Sequence, residues 1–221
     1  MYVPQSHGEK RNSYGTEQVF VRDMAPRFDS ADPKLTFPFI SKSQRIFLVP
    51  IYPKYHTDLL PDSILRTESP REFVEHEPHR NAIRKVYISR SYFRDLHTRD
   101  VIVFYRTGGH YKAVVTTLGI VEGVYHQIRN EEQFIRLCRK RSVFSDDELR
   151  GQWRNNPSNR PFIVEFLYAY SFPRRPNMDA LIQNGVIRDI SSAPRGFERI
   201  SIEQFETILR LSQSDPRLII D

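Results

Sequence analysis

A chain of 221 residues, 39% hydrophobic and 12% aromatic, is long enough to bury a core without covalent staples. Its one cysteine, Cys138, excludes a disulfide framework and a cysteine-rich zinc site. No apolar run nears the ~20 residues of a bilayer span and no secretory leader opens the chain, so a cytoplasmic protein with no membrane partner is expected. The net charge of +6 is unevenly placed: residues 79–112 hold 8 Lys/Arg against 2 Asp/Glu, while the flanking segments net −1 and +1. A concentrated basic window fits a phosphate-bearing partner. A solvated surface explains it equally well, and charge alone does not choose.

Residues 1–18 are polar and aperiodic and read as an arm. Gln18 to Met24 reads as one short strand, and Ala25 to Pro38 as a Pro-punctuated linker. Arg45 to Pro53 is a strand, with Pro50 at a bend or a sheet edge. A helical turn falls within Tyr55 to Leu65, and an acidic loop follows it. Asn81 to Arg90 reads as a turn and then a strand.

The stretch Val101 to Arg106 is apolar on both faces until its last residue, which predicts a central strand. Lys112 to Ile128 is its antiparallel partner across a hairpin-sized loop, and Gly119 marks a bulge. Asn130 and Gln133 cap a helix carrying Leu137 and Cys138. Ser145 and Glu148 form a capping box on the next helix. Phe162 to Phe172 alternates in strict period two, as a strand does. A short helix ends at Asn184-Gly185, and Ser201 with Gln204 caps a last one. Three regions follow: an arm and linker over 1–42, a folded domain over 43–212 and a tail over 213–221. Antiparallel strands with segregated helices imply an α+β fold or a small barrel with helical insertions.

The ordered blocks "FLVPIYPKYHTDLLPD", "EPHRNAIRKVYISRS", "RDVIVFYRTGGHYKAVVTTLGIVE", "RKRSVFSDDEL" and "FPRRPNMDALIQNGVIR" resemble the PUA-like domain at the C-terminus of some bacterial GNAT-type acetyltransferases, a relative of the EVE and ASCH groups. The resemblance covers about Arg45 to Leu211. It implies a mostly antiparallel β-barrel with flanking helices. It also implies a cleft that in related groups holds a base of RNA or DNA, sometimes a modified one. Tyr14 to Met24 further resembles the last strand of a GNAT domain. The glycine-containing loop that would bind acetyl-CoA phosphates is not found before it, so acetyl transfer by this chain alone is not expected.

Candidate ligand-binding residues follow from these readings. Asn81, Arg84, Lys85, Tyr87, Ser89 and Arg90 combine cations, a π-face and hydrogen-bonding groups within ten positions, the mixture that nucleic-acid clefts use. Arg106, at the end of the central strand, suits a phosphate or a base edge, or else a structural ion pair. Its neighbour Tyr105 points to the opposite face, where core packing accounts for it. Arg141 closes the basic run Arg139–Arg141, which a helix C-terminus also favours. Tyr55 and His56 follow the first strand of the domain. His76 and His79 flank Pro78, lack a third ligand and do not make a metal site. No catalytic motif stands out, and no cofactor is expected. The leading expectation is therefore a binding module for RNA, DNA or a nucleotide. The alternatives are a regulatory or antitoxin-like partner of an acetyltransferase, and an enzyme acting on a nucleotide or RNA.

Overall fold

The computed structural model describes residues 2–13, 15–22, 32–65, 78–109 and 112–220. Its main sheet has six strands: β3 (Ile46–Ile51), β4 (Arg84–Ser89), β5 (Val101–Arg106), β6 (Val114–Tyr125), β7 (Phe162–Ser171) and β8 (Glu198–Ile200). Their spatial order is β4-β7-β6-β5-β3-β8. Only β3 and β5 run parallel; the other pairs are antiparallel. The fold is α+β, a curled mixed sheet forming a half-barrel with helices on its flanks.

Alternation assigns each residue to a face. On the concave face Phe47, Val49, Ile102, Phe104, Val164 and Phe166 make one buried cluster with Leu59 and Leu60. Gly119 sits against it. A Cβ there would lie 2.6 Å from Phe166 Cδ2 and 3.0 Å from Ile102 Cγ1, and the β6–β7 register shifts between Leu118 and Gly119. The bulge expected from the sequence is present, and the barrel interior leaves no room there for a side chain.

The convex face is covered in two places. Helices α6 (Met178–Gln183) and α7 (Ile202–Leu211) lay Met178, Leu181, Phe205 and Ile208 on Ile46, Leu48, Val101 and Val103. Helices α4 (Glu131–Cys138) and α5 (Asp146–Arg154) lay Phe134, Cys138, Leu149 and Trp153 on Val86 and Ile163. The expected caps form: Asn130 accepts from Gln133 N, and Ser145 with Glu148 and Ser201 with Gln204 are complete capping boxes. Cys138 is fully buried, and burial pushes its thiol up to about 12, which leaves it an inert core residue.

Three stretches differ from the sequence reading. Residues read as an arm and a lone strand pair as an antiparallel hairpin, β1 (Tyr2–Asn12) with β2 (Gly15–Arg22). The segment read as linker contains helix α1 (Pro33–Thr36) and buries Phe37, Phe39 and Ile40. The segment read as a tail returns to it. Ile40 N bonds Leu218 O at 2.8 Å, Ile220 N bonds Ile40 O at 2.9 Å, and Leu218 is buried. Apolar pairing between two segments nearly 180 residues apart holds both in place, and neither pattern reveals it alone. No described helix is long and apolar enough to cross a membrane.

Candidate nucleic-acid interface

Three strands separate β4 from β3 in sheet order, yet the Tyr87 hydroxyl on β4 donates to the Pro50 carbonyl on β3 at 2.6 Å. The sheet therefore curls until its two ends face each other, and the gap between them is a cleft of about 910 Å3. That lies within the roughly 300–1,000 Å3 usual for small-molecule sites. Pro50 permits the gap: β8 pairs only with Ile46–Leu48, so beyond Leu48 this edge of β3 has no strand to meet and the missing N–H of proline costs nothing.

One wall comes from the end of β3 and from helix α2 (Pro53–Leu59): Tyr52, Tyr55 and Leu59, with Phe144 behind them. The Tyr55 and Phe144 rings meet at 4.8 Å, tilted by 56°. The opposite wall is β4 and the turn after it: Tyr87, Ser89, Ser91, Tyr92 and Phe93. The loop before β8 supplies Arg195 and Phe197, and Phe197 meets Tyr87 edge-on at 6.0 Å. Gly196 lets this loop approach, since a Cβ on it would lie 2.8 Å from Ser91 Oγ. Tyr52 is 70% exposed, Tyr92 92% and Phe93 38%. Ser89, Ser91, Thr107 and Gln152 add hydrogen-bonding groups.

The sequence candidates are not gathered in one place. Tyr55, Tyr87, Ser89 and Arg90 line the cleft. Burial raises the phenol pKa of Tyr87, so that group is a neutral donor to Pro50. Lys85 and His56 lie in the interior. Lys85 Nζ donates to the carbonyls of His79 at 2.7 Å and Arg80 at 3.0 Å. Burial lowers it to about 8. His56 Nε2 meets Thr116 Oγ1 at 2.9 Å. Arg84 and Arg141 are on the convex face, where both engage Glu165, Arg84 also engages Glu122, and Lys34 joins at 2.8 Å. Arg106 sits beside the hairpin turn, 3.5 Å from Lys112 O. Asn81 ends helix α3 (Pro78–Asn81), but its side chain falls outside the described residues, as does His76.

The basic window is likewise not one patch. Arg80 pairs with Asp58, and Arg90 donates to the carbonyls of Asn159 and Gln152. Arg94 donates to Asn159 Oδ1 and Arg160 O. Much of the window's charge braces β4 and the turn after it against neighbouring segments. The cleft's exposed cation, Arg195, comes from outside the window. Tyr52, Tyr92, Phe93, Arg195 and Phe197 are cleft residues that sequence reading missed. A usable signal lay in "SRSYF" and "APRGF", where aromatics sit beside arginine in turn-forming surroundings.

The chain matches no protein-family model and no curated protein sequence. Solved structures are similar to it. A mutant form of the ASCH protein of Zymomonas mobilis superposes with a TM-score of 0.55 at 9% identity, over 76% of this chain and 99% of that one. A second mutant form gives 0.52 at 11% identity, over 76% and 96%. The fold is thus similar to that of these ASCH proteins, a PUA-like half-barrel with flanking helices. Human THYN1, in complex with 5-methylcytosine containing DNA, is a weaker likeness at 0.43 and 11% identity and bears on neither the fold nor the ligand of this chain.

Proposed function

We propose that this chain is a non-enzymatic binding module that takes a base of RNA or DNA, modified or not, into the cleft at the barrel seam. One observation carries the reading: Tyr52, Tyr92 and Phe93, three of the large apolar side chains most exposed among the described residues, all border the same cleft. Exposed aromatics grouped at one concavity mark a binding surface. Their π-faces suit a base, Arg195 suits a phosphate, and Ser89, Ser91 and Gln152 suit base edges. Tyr55, Tyr87 and Ser89 belong to this proposal; Arg84, Lys85, Arg141, His56 and Arg106 support the scaffold around it.

The test is anisotropy with short single-stranded RNA and DNA at low and moderate salt. Tyr92→Ala is expected to weaken binding by roughly ten- to a hundredfold, the effect of losing one stacked base. A folded sample that binds neither RNA nor DNA at low salt overturns the reading.

Partnership with a separate GNAT-type acetyltransferase is a second reading. It is supported by the resemblance of residues 14–24 to a GNAT strand and by strand β2, which spans most of them. Co-purification with such an enzyme tests it. Cytoplasmic location accompanies both readings.

A further inference from the structure

A second depression, of about 350 Å3, adjoins the cleft. Tyr92 and Phe93 border the cleft, and the next residues along the chain, Arg94, Asp95, His97 and Thr98, line the depression with Val124 and His126. The buried Phe162 ring links residues of the two spaces. Phe197 of the cleft lies 6.0 Å from the Phe162 ring, and Phe162 in turn carries His126 at 5.2 Å and the Arg94 guanidinium at 4.9 Å. We propose that this depression is the phosphate subsite for the nucleotide next to the bound base, and that protonation of His126 gates it. The proposal rests on the base-binding reading above and gives that site a pH-dependent second contact.

The donors are placed for it. The bonds Arg94 makes to Asn159 Oδ1 (2.7 Å) and Arg160 O (2.8 Å) both leave from Nη2, so Nε and Nη1 remain for a ligand. The exposed His126 ring hydrogen-bonds no described residue. The acids nearby are already satisfied. Arg45 reaches Asp95 Oδ2 at 2.8 Å through Nη1, and Asp100 at 2.6 and 2.9 Å through Nη2 and Nε. His97 bridges the same group, with Nδ1 2.7 Å from Arg45 Nη2 and Nε2 3.3 Å from Asp95 Oδ1. An arriving phosphodiester therefore meets Arg94 and His126 beside a carboxylate, Asp95, whose charge Arg45 already offsets although its side chain is 63% exposed.

The charges facing His126 set its response. Arg94, Asp95 and His97 face it from the preceding loop, Arg45 and Asp100 stand behind them, and Phe162 of β7 presents only a ring. Burial, then Arg94, then His97 lower its pKa, which favours the neutral imidazole. A bound phosphodiester favours the imidazolium. Binding then takes up a proton, and affinity rises as pH falls.

The experiment uses oligothymidylate, whose bases and diesters do not titrate between pH 5.5 and 8, and free thymidine, which has no phosphate. The wild-type protein is expected to bind the oligomer about tenfold more tightly at pH 5.5 than at pH 8, equivalent to one unit of ring pKa. His126→Gln is expected to lose that slope, and thymidine binding is expected to be flat in both proteins. Ring NMR of the intact protein is expected to show the His126 pKa rising on saturation with the oligomer. A pH-independent wild type, or a slope retained in His126→Gln, overturns the subsite alone, provided thymidine still binds. Failure of both oligomer and thymidine to bind at any pH overturns the base-binding reading, and the subsite with it.

Discussion

The Tyr87 hydroxyl donates to the Pro50 carbonyl across the open seam of the half-barrel, at 2.6 Å. The contact joins strands that the sheet keeps four places apart, so it bears on how far the curl closes and how wide the cleft opens. The Tyr87 ring reinforces it, meeting Phe104 at 5.8 Å and Phe197 at 6.0 Å.

Tyr87→Phe keeps both ring contacts and removes only the hydroxyl. It leaves the Pro50 carbonyl, already without a strand partner on that edge, short of a donor. The expected loss is about 1 kcal/mol, or roughly 2–4 °C in Tm for a chain of this size. Thermal unfolding by circular dichroism checks it. An unchanged Tm means that the seam is held by packing alone.

Tyr105 gives the opposite expectation. It is 1% exposed and packed in the core under α6 and α7, and its hydroxyl has no hydrogen-bond partner among the described residues. Burial pushes the phenol up to about 12. Tyr105→Phe removes an unsatisfied buried polar group, so it is expected to leave stability unchanged or raise it by about 1 kcal/mol. Urea midpoints of the two proteins decide the matter, and a clear loss in the variant shows that the hydroxyl has a partner in solution.

Arg84 and Arg141 are cations of the kind that sequence inspection assigns to nucleic acid, but both converge on Glu165, whose side chain is 7% exposed. Replacing either with alanine leaves part of a buried carboxylate uncompensated. The expected result is a loss of about 1–2 kcal/mol of stability, between the values for surface and buried pairs. Oligonucleotide affinity is expected to change less than twofold. A large affinity loss with unchanged stability would return these residues to the interface.

The parts of the fold readable from sequence are those fixed within a few residues. The alternation in β7, the apolar run of β5, the capping boxes at Ser145 and Ser201 and the isolated Gly119 within a strand are local patterns, and each appears where its pattern places it. The cleft is not local. It needs β4, the end of β3 and the loop around Gly196 to meet, and the curl that brings them together is a property of the whole sheet. The basic window misleads for a related reason. Charge density along a chain does not say that Arg84 will find Glu165, or that Arg90 will be used on the carbonyls of Asn159 and Gln152. Tyr55, Tyr87 and Ser89 reach the cleft because β4 and α2 form its two walls; Arg106 sits beside the hairpin instead.

His79 makes stability depend on pH. Burial first, then the charges of Lys85 and Arg80, lower its pKa from 6.5 to about 4. The native ring thus stays neutral between those values while the unfolded chain takes up a proton. The unfolded state binds more protons across that window, so stability falls as pH drops from 6.5 to 4. After allowance for solvent screening the contribution is about 1–2 kcal/mol. His79→Leu is expected to flatten this part of the stability–pH curve while leaving the His79 carbonyl available to Lys85. Lys85→Met removes a facing cation and is expected to move the His79 pKa back upward, read by ring NMR. Lys85 itself, lowered from 10.5 to about 8, acts in a separate window: the unfolded chain keeps that proton longer, so stability rises from pH 8 to 10.5. An acid limb identical in wild type and His79→Leu would assign the low-pH loss to the carboxylates instead.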